Sequence, residues 1–346
     1  MKIIEYIQES FREKLPFVAY KKPNKNLLKG IFQQDDALCT VDQYSELGFV
    51  FAPFDSKRQS ILIPTEKSKY FEEELGEINI VFEEKKMINN LSSKEKHIQL
   101  IESGVEAIRN SQLKKVVLSR KEKVSLEKFH LLETFQKLLH YYPNAFVYVW
   151  FHPKVGLWLG ASPETLLKIN GNKFATMSLA GTQLYVDANE VNWSDKELEE
   201  QQFVTDYITE NLAKVCVEVQ KGDLETVKAG KLTHLKTNIF GTFNVQNTSV
   251  KTLINVLHPT PAVCGLPKEA SRNFILENEH YDRSFYTGFL GELNEGASEF
   301  YVNLRCMQIE NDHANIYVGG GITKASNSIS EWKETVSKSE TMKRVL

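Results

Sequence analysis

The residues best suited to chemistry gather in one stretch near the C-terminus, EFYVNLRCMQIENDHANIYVGGGITKASNSISEWKETVSK at 299–338. From 300 to 306 apolar residues alternate with Tyr301, Asn303 and Arg305, so a strand of period two puts Arg305 on the face opposite Val302 and Leu304. Asn311-Asp312 marks a hairpin turn, 316–318 a short second strand, and Gly319, Gly320 and Gly321 a loop after it. Consecutive glycines either let the backbone approach a small anion or turn where a side chain does not fit. Ser328 stands three residues before Glu331, the spacing of a capping box; on the helix it starts, Glu331, Glu334 and Lys338 share one face. A guanidinium, a glycine loop and a carboxylate–ammonium face suit an oxyanion and a hard metal ion. The plainer reading is that Glu334 and Lys338 form an i,i+4 pair, worth about 0.2–0.5 kcal/mol on a solvated helix.

Other chemical groups are scattered along the chain. Lys115 enters a β-branched strand at 115–120, and Ala161-Ser-Pro-Glu164 is a turn that leaves a carboxylate at a strand end. Glu197, Glu199 and Glu200 lie in the first two turns of a long helix from 194 to about 220, where dipole reasons alone favour acidic residues. His234 opens a strand at 234–240, and His258-Pro-Thr-Pro261 is a rigid loop. No GxGxxG follows a strand, and there is no Walker A, GxSxG or HExxH motif.

The elements that must position these groups are mostly strands. Ile4, Ile7, Phe11 and Leu15 give an N-terminal amphipathic helix ending before Pro16. Strand-like runs follow at 17–20, 29–33, 48–52 and 60–63, then a surface excursion at 72–86. Ser92-x-x-Glu95 starts a helix reaching about 110; further helices fall at 131–139, 250–257 and 267–278. Hairpins occupy 145–159 and 166–179, and a strand at 288–293 leads into the opening stretch. Strands joined by hairpin turns with helices grouped between them argue for an α+β protein with large antiparallel sheets.

Composition removes whole classes. With a net charge of -3, the 346-residue chain has no electrostatic footprint for nucleic acid or an anionic membrane. No apolar run approaches the roughly 18 residues of a membrane helix, and the N-terminus has no signal-peptide pattern. The four cysteines, Cys39, Cys216, Cys264 and Cys306, show no metal or redox spacing and read as reduced residues of a cytoplasmic protein.

Taken in order, KVVLSR at 115–120, LGASPETLL at 159–167, SLAGT at 178–182, SDKELEEQQFV at 194–204, HPTPAVCGLPK at 258–268, YDRSFYTGFLGEL and VNLRC…GGGIT…EWKETVSKSETM resemble the chorismate-utilising enzymes. The resemblance covers 92–346 without a break, with 1–91 the variable N-terminal part of one catalytic domain. It implies a β-sandwich core with helices packed outside. Within the family the chain is most similar to the isochorismate-forming type. Lys115 stands where those members keep a water-activating base and aminating members carry Gln. Ala180 replaces the lysine that attacks the ring in aminodeoxychorismate synthases, and Ala262-Val263 fits the isochorismate type better than the salicylate type.

The resemblance then implies roles. Lys115 is the base and Glu164 the acid for moving the chorismate hydroxyl from C4 to C2. Mg²⁺ is held by Glu200 and Glu334, with Glu197 and Glu331 close by. Arg305 holds the other carboxylate, helped by Lys338 and the backbone of Gly319, Gly320 and Gly321. Gly181, Thr182 and Ala262 line the ring, and His234 either meets its polar rim or is a satisfied core histidine. One departure stands out: the family's Glu-His pair is Glu200-Gln201 here, which bears on the helix's supporting contacts rather than on the ligand. The product would feed menaquinone or siderophore biosynthesis. No nucleic acid, membrane or obligatory protein partner is implied, and the chain is expected to be a monomer. The rival readings are a salicylate synthase, an anthranilate synthase and a non-catalytic chorismate-binding protein.

Overall fold

The computed structural model describes residues 2–76, 93–184, 191–229 and 232–346. The N-terminal part is α1 (Lys2–Glu13), β1 (Phe17–Lys21), β2 (Leu27–Gln33), β3 (Cys39–Val41), β4 (Gly48–Ala52), β5 (Ser60–Pro64) and β6 (Ser68–Glu74). Next come α2 (Lys94–Asn110), β7 (Lys115–Ser125), α3 (Leu131–Tyr141), β8 (Phe146–His152), β9 (Gly156–Ser162), β10 (Thr165–Asn170) and β11 (Lys173–Leu184). Then follow α4 (Asp195–Ala213), β12 (Glu218–Ala229), β13 (Leu232–Thr242), α5 (Val250–Leu257), β14 (Gly265–Leu266) and α6 (Lys268–Asn278). The chain closes with β15 (Phe289–Leu293), β16 (Ala297–Val302), β17 (Cys306–Glu310), β18 (His313–Ile322) and α7 (Ser328–Lys343).

Among the described residues the strands form two nine-stranded antiparallel sheets, ordered β14-β7-β18-β17-β9-β8-β1-β2-β6 and β12-β13-β11-β10-β16-β15-β4-β5-β3. Between the sheets pack aromatic residues, among them Tyr20, Phe49, Phe51, Trp150, Trp158 and Tyr301. The outer face of the first sheet is covered by α1, α3 and α7 through Ile3, Ile7, Phe135, Leu138 and Met342. That of the second is covered by α4 and α5 through Val204, Ile208, Leu212 and Leu253. Strands buried on both faces cannot show polar alternation, and every residue of β1, β4 and β5 is buried accordingly. The strands of the N-terminal part complete both sheets, with β1 beside β8 and β4 beside β15.

Several expectations need correction. The run 300–306 is not one strand: β16 in the second sheet ends at Val302, the chain turns through Arg305 at a φ of 46°, and β17 belongs to the first sheet. Likewise β9 and β10 lie in different sheets, with Glu164 in the passage between them. The three glycines are not a loop but part of β18, which runs to Ile322. The helix expected from 194 to about 220 stops at Ala213, and the polar segment beyond it is β12. The last helix is capped by Asn327, whose side chain accepts from Ser330 N–H at 3.0 Å, not by Ser328. Of the 72–86 excursion, residues 72–74 belong to the edge strand β6. Ser92 lies outside the described residues, and α2 begins at Lys94.

Candidate active site

The two passages between sheets are bonded to each other. Ala161 N–H donates to Arg305 C=O at 3.0 Å, Val302 N–H donates to Glu164 C=O at 3.0 Å, and Ser162 Oγ donates to Val302 C=O. This seam brings Glu164 and Arg305 to one cavity of about 740 Å³, its open mouth included, whose walls also include Gly181, Thr182, Glu200, His234, Ala262, Gly319, Gly320, Gly321, Glu334 and Lys338. The size suits a small-molecule site.

Two buried groups, Glu164 in its wall and Lys115 beside it, can carry protons. Lys115 is fully buried, and its ammonium lies 2.9 Å from Glu200 Oε1 without the direction of a hydrogen bond; no other acceptor among the described residues satisfies it. Glu164 is 3% exposed, and burial pushes its carboxyl up to about 8, against the pull of the Lys115 charge. At neutral pH it therefore keeps its proton. A buried acid in the cavity wall and a buried lysine behind Gly321 of that wall make an arrangement structural side chains seldom need.

Arg305 and His234 form a second unit. Arg305 Nη2 donates to His234 Nε2 at 2.9 Å, so Nε2 is an acceptor and Nδ1 carries the hydrogen, pointing at Gly181 C=O at 3.1 Å with Thr182 Oγ1 at 3.2 Å. Burial and the neighbouring Arg305 and Lys338 charges hold the imidazole well below its ordinary range, so it stays neutral. Gly181 adopts a φ of 68° in a bulge of β11, and a Cβ there would press on Glu197 Cβ at 3.2 Å. A glycine at this bulge lets α4 lie close over the strand.

The glycines of β18 do the same for α4 and α7. A Cβ on Gly320 would lie 3.5 Å from Glu334 Oε1 and 3.6 Å from Glu331 Oε2; one on Gly321 would collide with Glu200 Oε1 and meet Lys115 Cε at 3.0 Å. Carboxylates therefore reach the bare strand from both helices. Each is matched by a lysine: Glu200 by Lys115, Glu331 by Lys196 at 2.6 Å, and Glu334 by Lys338 at 2.6 Å. Lys338 also donates to Gly319 C=O at 3.1 Å. Burial and the Glu334 charge raise the Glu331 carboxyl. Glu197, expected close to a metal, caps α4: it accepts from Ser194 N–H at 3.1 Å and from Ser194 Oγ.

As placed, no three of the described His, Cys, Asp or Glu residues form a ready-made metal cage. Hard oxygens of Glu200, Glu331 and Glu334 facing one bare strand nonetheless match a divalent ion that binds through few carboxylates and completes its shell with water and ligand oxygens. Gln201, the departure from the family pattern, is buried behind Glu200 and donates to Ser178 Oγ at 2.8 Å. Tyr286, Thr287 and Tyr317 line the cavity too and escaped the sequence reading. Their signals were there: Tyr286 and Thr287 lie in the stretch YDRSFYTGFLGEL, and Tyr317 alternates with Gly319 and Gly321 on one strand.

Two nine-stranded antiparallel sheets among the described residues, with a cavity walled by Glu164, Arg305, Glu200 and Glu334, place the chain among α+β proteins with a built small-molecule site. Residues 52–346 match the family model described as chorismate binding enzyme, and the chain belongs to that family. Isochorismate synthase EntC of Escherichia coli (strain K12) is 34% identical over 200 residues, 55% of this chain and 51% of that protein. Isochorismate synthase DhbC of Bacillus subtilis (strain 168) is 28% identical over 319 residues, 85% of this chain and 79% of that one. The chain thus spans about half the length of EntC and more of DhbC. The fold is similar to that of DhbC from Bacillus anthracis (TM-score 0.82, 24% identity, 99% of each chain). It is also similar to that of MenF from Escherichia coli (TM-score 0.80, 20% identity, 96% of this chain and 88% of that one). Among the described residues no helix is long and apolar enough to cross a membrane.

Proposed function

We propose that this protein, acting as a single catalytic domain and a cytoplasmic monomer without an obligatory partner, converts chorismate to isochorismate. The observation that carries the reading is that Glu164, in the cavity wall, is buried and protonated at neutral pH, with the fully buried Lys115 near enough for its charge to act on that carboxyl. Lys115 removes a proton from water as its oxygen bonds to C2; the ring double bond shifts, and Glu164 protonates the hydroxyl leaving C4. One hydroxyl is gained and one lost, so substrate and product are isomers. Arg305, fixed by His234, takes one carboxylate through its planar fork, and Lys338 adds a second cation. Glu200 and Glu334, with Glu331 beside them, would hold Mg²⁺, which when bound supplies charge for the ring carboxylate. Names of relatives that make isochorismate support this reading, and the menaquinone and siderophore routes are the proposed consumers.

The test is product analysis. Purified protein is stripped of metal and incubated with chorismate, with and without Mg²⁺ and separately with ammonia, and the products are resolved by chromatography. Mg²⁺-dependent isochorismate, indifferent to ammonia, is the expected result. Salicylate with pyruvate would make it a salicylate synthase, an amine product an aminating enzyme, and no turnover a chorismate-binding protein. Lys115→Gln should retain the fold and chorismate binding while losing about 100-fold or more in rate; binding by calorimetry and turnover of the same sample check it.

A further inference from the structure

The edge of β7, the strand that begins at Lys115, is not finished by a strand. β14 pairs with Lys115 and Val116 alone, and Val117 N–H then donates to Cys264 C=O at 2.8 Å. The next two edge groups are met by side chains. Val117 C=O accepts from Arg283 Nη2 at 2.7 Å, and Ser119 N–H donates to Glu279 Oε1 at 2.7 Å. A carboxylate and a guanidinium thus present the acceptor and donor that a neighbouring backbone would offer.

The guanidinium does more than finish the edge. Its Nε donates to Glu279 Oε2 at 2.7 Å and Nη2 to Glu279 Oε1 at 2.5 Å; Nη1 reaches Val263 C=O at 3.0 Å and Thr287 Oγ1 at 3.2 Å. With the bond to Val117, all five N–H groups of Arg283 are used. Phe54 packs beneath it, 4.5 Å from ring centroid to guanidinium carbon. Val117, Val263 and Thr287 come from three separate segments, and each lines the cavity. A buried ion pair is poor evidence of stability, because desolvation takes back most of its attraction. What this pair uniquely supplies is a fixed distance between three walls.

We propose that Arg283, held by Glu279, is a positioning residue: a side-chain substitute for a missing strand that sets Lys115 and the opposite walls at their working separation without touching ligand. The rate readout rests on the reaction proposed above; the exchange readout does not.

Arg283→Lys tests it, because an ammonium keeps the charge beside Glu279 but cannot span Val117, Val263 and Thr287 together. Expected are a melting temperature within about 5 °C of the parent and kcat lowered roughly 10- to 100-fold with KM within about twofold. Amide exchange at Val117 and Ser119 should quicken while that of β1 and β8 is unchanged. An unaltered kcat, or a shift in KM and melting temperature alone, would overturn the proposal. If Arg283→Lys does not fold, Glu279→Gln is measured in the same way; it keeps an acceptor for Ser119 N–H and should lower kcat less, and no loss at all overturns the idea. A parent protein that leaves chorismate unchanged sinks the proposed reaction, while exchange at Val117 and Ser119 still decides whether the pair locks the edge.

Discussion

Glu164 carries a consequence that can be measured without substrate. Its carboxyl rises from the ordinary 4.5 to about 8 in the folded protein, through burial. The folded state therefore binds this proton more tightly than the unfolded one, and its stabilising effect is complete below about pH 4.5. It is lost progressively as pH rises through 8. Glu164→Gln keeps the size and cannot ionise, so thermal melts at pH 5 and pH 9 should show the parent losing a few kcal/mol relative to the variant. Equal pH dependence of the two would mean the carboxyl is not held protonated. Lys115 and Glu164 were legible as a strand entry and a strand end, but burial comes from elements far away in sequence and left no local trace. Glu197 is the opposite case, with its structural role written locally. Its local pattern, Ser194 three residues earlier, is a capping box, and the cap uses its carboxylate.

At the level of elements, β18 is where the sequence signal was strongest and its meaning least evident. Three glycines suggested a loop because they are costly in strands; here their bareness admits side chains from α4 and α7. The positions should differ. Gly320→Ala places a methyl at ordinary contact distance from Glu334 and Glu331 and should leave turnover within about threefold. Gly321→Ala drives a methyl into Glu200 and Lys115 and should cost roughly 100-fold in rate with little change in unfolding temperature. Steady-state kinetics and melts on both variants check the contrast. The misreading of 300–306 has a related origin. Apolar residues alternate without interruption across a change of sheet, and only the left-handed backbone of Arg305 marks the turn. Helices α5 and α6 and strands such as β4 were readable within a residue or two, because their boundaries are written in local turn and proline chemistry.

Over the whole molecule, the antiparallel two-sheet plan follows from hairpin turns and grouped helices, whereas the order of strands does not. Sequence reads residues 1–91 as the variable N-terminal part of one catalytic domain. The pairings β1–β8 and β4–β15 make its described strands one end of both sheets. A chain starting at residue 93 would bare the buried strands β8 and β15 and the aromatic layer between the sheets. It should be recovered as aggregate or without a cooperative melt; size-exclusion chromatography and circular dichroism of the truncated chain would show this. A soluble, cooperatively folded fragment would contradict the pairing.

The bonded passages between the sheets also bear on engineering. Glu164 and Arg305 sit on chain segments that tie one layer to the other, with their backbones joined at Ala161–Arg305 and Val302–Glu164. Libraries aimed at new substrates will find little tolerance there, because a displaced residue shifts two layers at once. The first two turns of α4 and α7 face the same cavity from outside the sandwich through Glu200 and Glu334, each engaged chiefly by a single lysine. Diversity placed on those turns away from Glu200, Glu331 and Glu334 can reshape what enters while Glu164 and Arg305 keep their place.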